Sequence, residues 1–124
     1  MALPTMDLPT MINQMKQHPE FGKAGMVLYH NGVVRSFSRD GRDVTGLEVT
    51  VDQDRLDEIL AEAKAKPGIV EVLVYINAGK PLMVGDDVMF LAVAGDIREN
   101  VIETLSHTLN RIKSEVTSKT QFFA

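Results

Sequence analysis

The sequence contains no cysteine, and this one absence excludes disulfides, thiolate metal sites, persulfide relays and thiol nucleophiles together. Any sulfur the protein handles must arrive on another molecule. Long apolar runs are missing too, since none approaches the roughly 20 residues a bilayer core requires. The first residues lack a basic region followed by an apolar secretory core, so the expected location is cytoplasmic. Positive charge is in short supply, with 13 Lys and Arg against 17 Asp and Glu and a formal net charge of −4. A chain so charged has no global attraction for nucleic acid or anionic lipid, which leaves only a local cationic pocket for a small anion. The three histidines, His18, His30 and His107, lack the short helical or hairpin spacing of metal ligands. Neither a metal nor a resident cofactor is expected. Internal repeats and low-complexity tracts are also absent.

What remains is 124 residues, 44% of them hydrophobic, enough for one domain over residues 1–124 with a core that needs no covalent staples. Asp7 to Met15 reads as a short helix with Thr10 as a cap and Ile12 and Met15 on one side, ended by His18-Pro19. Gly25 to Arg35 is rich in β-formers but interrupted by Asn31-Gly32, which predicts a bulged strand, with a hairpin as the alternative. Ser38 to Asp43 is polar with no apolar period and should be the least ordered internal segment. In Val44 to Val51 apolar and polar residues alternate as in a half-buried strand. Leu56, Ile59, Leu60 and Ala63 follow at helical spacing, with Asp52 or Asp54 to cap the start and Pro67-Gly68 to close the end.

Ile69 to Ile76 predicts another strand. Turn signals at Gly79-Lys80-Pro81 and Gly85-Asp86-Asp87 bracket a short apolar piece, and Val88 to Ala94 is apolar enough for a central strand. The last helix opens at Asp96, whose spacing to Glu99 is that of a capping box. Its predicted stripe is Ile97, Val101, Leu105, Leu109, Ile112 and Val116, about five turns long. Helices and strands in this order predict an α/β (α+β) fold with a mixed, mainly antiparallel sheet and helices packed on it. The long stripe and the apolar strand offer more hydrophobic surface than one small domain needs, which predicts a homodimer.

An ordered set of these segments resembles the large, catalytic subunit of molybdopterin synthase, an α/β hammerhead type of fold. The most specific match is Gly25-Met26-Val27-Leu28-Tyr29-His30-Asn31-Gly32-Val33-Val34-Arg35, similar to that family's glycine-led strand ending in Gly-x-Val-Arg. Val44 to Val51, the Leu56 to Ala63 helix and Gly79 through Gly85-Asp86 follow in the family's order. Arg98 and Lys113 fall at family positions on the last helix, and Lys119 lies about one place from the family's second lysine. Ile97 stands where the family has a histidine, and Thr50 and Asp52 where it has glutamate and tyrosine. The sequence ends at Gln121-Phe122-Phe123-Ala124 without the family's basic tail.

The resemblance implies that a small ubiquitin-like sulfur carrier ending in Gly-Gly presents a C-terminal thiocarboxylate, and that its sulfur passes to cyclic pyranopterin monophosphate. Two anions then share one site, which calls for fixed cations, and a lysine there can also donate a proton or attack as an amine. Lys113 and Lys119 are the implied catalytic residues. Arg35 and Arg98 are the implied substrate-binding residues, Arg98 reinforced by its place in the first turn of a helix. Lys113 sits beside the apolar stripe, where partial burial is expected. Arg98 and Lys113 lie fifteen residues apart on one helix, or about 22 Å, so a small ligand meets both only in an extended site or across a dimer. A non-catalytic dimeric relative that binds a ubiquitin-like partner or a small anion would keep the same scaffold, and the altered positions leave that alternative open.

Overall fold

A strand covered on both faces must be apolar at nearly every position, and Val88 to Ala94 has that composition. The computed structural model, which describes residues 6–124, makes it the middle of a sheet. Strand β5 (Asp87–Gly95) lies between β1 (Met26–Val33) and β3 (Ile69–Ile76), antiparallel to both. Alternate residues of β5 enter two different cores. Leu91 and Val93 pack with helix α2 (Gln53–Lys64) and with Val101 of α3 (Arg98–Arg111). Phe90, Ala92 and Ala94 pack with Met11 and Met15 of α1 (Leu8–Lys16) on the other side.

A second antiparallel sheet has the order β4 (Leu82–Met83), β2 (Val44–Val51), β6 (Thr117–Phe123). Val34, Leu47, Val49 and Leu82 form its own small core. Partly buried Val51, Ile76 and Val88 join that core to the first sheet, and Val51, Ile76 and Val88 also pack on the main core. The two sheets therefore meet where β2 lies against the end of β3 and the start of β5.

Local chemistry explains most element ends. Asp52 caps α2 by accepting a hydrogen bond from the Arg55 amide at 3.2 Å, and Gly68, at φ 79°, turns the chain into β3. The first helix is capped by Asp7, not Thr10: the Asp7 carboxylate accepts from the Thr10 amide at 2.8 Å. Its buried face is Met11 and Met15, an i, i+4 pair, and Ile12 is only half-buried. Asn31-Gly32 is a bulge within β1 and not a hairpin, since pairing with β5 continues through it and slips only between Gly32 and Val33.

Ser38 to Asp43 is a loop, but one closed on itself. Phe37 bridges to Asp43, Ser38 and Arg42 are joined through their backbones, and the Arg42 guanidinium lies 3.9 Å from the Phe123 ring centre. Short polar side chains that bond nearby backbone close a loop of this kind without an apolar period.

The last helix departs furthest from its sequence pattern. Asp96 and Glu99 make no capping box; Ile97 is the N-cap residue, and Asp96 instead accepts from the Ile97 amide and the Asn100 side chain. Ile97 is 52% exposed, so it drops out of the stripe, and Thr104 and Thr108 are buried beside Val101 and Ile112. Regular α-helix stops at Arg111. Ile112–Val116 forms one π-turn, and the chain then reverses into β6, a strand the sequence pattern did not predict.

Candidate functional site

Period-two geometry decides which side chains of β1 reach the junction of the sheets. Leu28 packs on the core shared with α2 and α3, and His30 and Gly32, two and four residues on, share its face. Together with Val33 they form one wall of a cavity of about 390 Å³. Leu47 and Val49 of β2 form another, and Ile76, Val88 and Met89 complete an apolar floor. Three cations reach it: Lys113 from the π-turn, Lys119 from β6 and Arg39 from the loop after β1.

The reversal at the π-turn is what brings the two lysines together. Had the helix run on to Val116 and beyond, Lys119 would have continued up its axis; as built, β6 folds back against β2 with Lys119 opposite Val49. A π-turn leaves the α-helical hydrogen-bond pattern and needs outside support. Ile112 and Val116, both buried, hold it from below, and the Val116 carbonyl accepts from the Asp52 amide at 2.9 Å.

Charge holds the outer side. The Glu115 carboxylate accepts from Arg111 Nε at 3.0 Å and from Arg55 Nε at 3.1 Å, and also from Arg55 Nη2. Arg111 also bonds Glu62, and Arg55 bonds Glu58. This network spans α2, α3 and the π-turn that carries Lys113. Hydrogen bonds from Arg111 first, then Arg55, pull the Glu115 pKa down to about 2.

A carboxylate depressed in this way stabilises the fold above its ordinary pKa, and that contribution fades as pH falls through the folded value. Between pH 4.5 and 2 the unfolding temperature of the wild type should therefore fall more steeply than that of Glu115→Gln. Parallel melting curves for the two proteins would contradict the assignment.

The structure sorts the residues that sequence reasoning named. Lys113 and Lys119 share the cavity, and Lys113 is exposed where partial burial was expected. Arg35 is not among the lining residues; its Nε donates to the Phe37 carbonyl at 2.9 Å and its guanidinium lies 4.7 Å from the Phe37 ring centre. Arg98 lies at the start of α3, beside the end of β5 opposite the cavity, with its side chain 76% exposed and its Nε 3.8 Å from the Glu99 carboxylate. Arg39 and His30 are ionisable lining residues that the sequence did not single out as site candidates. The face shared with Leu28 would have pointed to His30; nothing local pointed to Arg39.

The MoaE protein family matches residues 5–115. The chain belongs to that family. A probable molybdopterin synthase of Haloferax volcanii is 28% identical over 118 residues, which is 91% of this chain but 45% of that protein. The chain thus spans less than half of that relative's length. An uncharacterized protein of Methanocaldococcus jannaschii is 31% identical over 96 residues, covering 74% of this chain and 80% of its own. Among solved structures, molybdopterin synthase from Staphylococcus aureus superposes with a TM-score of 0.72 at 25% identity, over 90% of this chain and 85% of that one. The fold class expected from the sequence is therefore observed, a large-subunit-like arrangement of antiparallel sheets with packed helices.

Proposed function

We propose that this MoaE-family chain is the catalytic subunit of a molybdopterin synthase, a sulfurtransferase of molybdenum cofactor biosynthesis. It takes sulfur from the C-terminal thiocarboxylate of a small ubiquitin-like carrier ending in Gly-Gly and delivers it to cyclic pyranopterin monophosphate. The observation that carries this reading is the convergence of Lys113 and Lys119, from two different elements, on one cavity with an apolar floor. Two anions brought together repel, and fixed ammonium groups in a partly dry pocket offset that repulsion as charge shifts between sulfur donor and acceptor. With no cysteine in the chain, the sulfur has to enter on the partner. Incubating the protein with a thiocarboxylated carrier and the pyranopterin should yield dithiolene product. Tight carrier binding without product would instead favour the non-catalytic relative, a reading supported by the exposed Ile97 at the start of α3.

Arg98 has a role in this reading only across a dimer. It is exposed in the first turn of α3, at the opposite end of that helix from the π-turn that carries Lys113, so only a second copy's cavity is open to it in this reading. The protein is thus expected to be a homodimer by light scattering, binding one carrier per protomer to make a heterotetramer. Mixed dimers of Lys113→Ala with Arg98→Ala should regain activity that neither parent homodimer has. Failure to regain any would remove Arg98 from the site, and a monomer mass at all concentrations would remove the dimer.

A further inference from the structure

Among the described residues, the cavity has one titratable wall residue apart from Lys113, Lys119 and Arg39, namely His30. No carboxylate of the described residues lines it. Asp87, at the start of β5, pairs with Val33 in the ladder and is not a lining residue, and Glu115 on the π-turn is held by Arg55 and Arg111. The imidazole is half-buried, and its Nε2 lies 3.3 Å from where a Cβ on Gly32 would sit, so the glycine leaves room for the ring over the strand. We propose that His30 is an anion-binding residue of this cavity, one that takes up a proton when an oxyanion enters beside Lys113. This rests on the cavity being the anion site proposed above.

The physical reason is a reversal of sign on binding. Burial first and the Lys113 ammonium second hold the His30 pKa below its ordinary value, so the ring is neutral near pH 7. An oxyanion offsets the lysine's field and accepts a charge-assisted hydrogen bond from an imidazolium, both of which favour the protonated ring. The balance is one oxyanion and one solvent proton bound together, with no bond made or broken in the ligand. Affinity then rises as pH falls from the bound midpoint to the free one, by at most about tenfold per pH unit for one coupled proton. The same linkage makes the imidazolium a proton source beside the cavity once the site is filled.

Carboxylate from a carrier tail and phosphate from a small substrate share this chemistry, and the experiment separates them. The His30 ring proton is followed by NMR through a pH titration of the whole protein, free and with three probes. These are a short peptide ending in a Gly-Gly carboxylate, the same peptide amidated, and inorganic phosphate. The carboxylate peptide should raise the His30 midpoint and the amidated one should leave it in place. A response to phosphate alone keeps the residue's role and assigns it to the phosphate-bearing substrate. Lys113→Ala should raise the midpoint of the free protein, and His30→Gln should lose the tighter binding at low pH while still binding at pH 8. A probe that perturbs Lys113 and Lys119 resonances but leaves the His30 midpoint unmoved overturns the inference alone. Should no probe perturb the lysines, the cavity is not an anion site, and the proposed function falls with it.

Discussion

Lys113→Ala is expected to abolish sulfur transfer while leaving thermal unfolding almost unchanged. The side chain is exposed on the π-turn, and surface substitutions of this kind usually alter stability by no more than about 0.5 kcal/mol. Activity should respond very differently, because Lys113 and Lys119 are the lysines that line the cavity among the described residues. Lys113→Arg separates charge from proton chemistry. Guanidinium keeps the positive charge but neither gives up a proton nor attacks as an amine near neutral pH, so this variant should fail almost as badly. If instead Lys113→Arg turns over normally, the lysine acts as a cation only and proton donation must come from elsewhere, with Lys119 and His30 of the same cavity the candidates. Turnover by Lys113→Ala close to that of the wild type, in an assay with thiocarboxylated carrier and pyranopterin, would end its catalytic assignment.

How far the sequence predicted this arrangement depends on whether the deciding interactions are periodic. Strands β3 and β5 and helix α2 were legible because each has either a continuous apolar run or a helical stripe bounded by Asp, Gly or Pro. Strand β6 was not, since Thr117-Ser118-Lys119-Thr120-Gln121 has no apolar alternation and takes its register from β2 alone. The pattern Ile112, Val116 is equally compatible with one more α-helical turn, so a π-turn with both residues buried looks like continuing helix in one dimension.

The site residues divide along the same line. Lys113 and Lys119 came from a resemblance of motifs, but their sharing of one cavity follows from the reversal between them. Arg35 and Arg39 show the opposite limit. They are four residues apart, both arginine, and only the fold determines that the first is occupied by Phe37 while the second reaches the cavity. No composition or spacing rule distinguishes them, because the choice is made by where an aromatic ring and a carbonyl happen to lie. His30 was within reach of the period-two rule, since it shares a strand face with Leu28, whereas the spacing of the histidines bears only on metal binding.

Ile112→Ala should be the most damaging single change near the site, through packing and not through chemistry. Ile112 is fully buried in the main core, so truncation removes apolar contacts and leaves a cavity, a loss of about 2–5 kcal/mol for this kind of substitution. Against a total stability of roughly 5–15 kcal/mol for a domain, the melting temperature should drop by about 10 °C or more. The exposed Ile102 on the same helix is the control, and Ile102→Ala should cost less than about 0.5 kcal/mol. What distinguishes Ile112 from other core positions is that it opens the π-turn, one residue before Lys113. A loosened turn lets the ammonium sample positions outside the cavity, and misplacement by about 1 Å can cost on the order of a hundredfold in rate. Ile112→Ala assayed well below its melting temperature should therefore lose kcat even where it is fully folded, whereas Leu91→Ala, fully buried in the same core but away from the cavity lining, should lose stability without a comparable loss of turnover. Equal effects of the two on kcat would show that the π-turn does not depend on Ile112 to place Lys113.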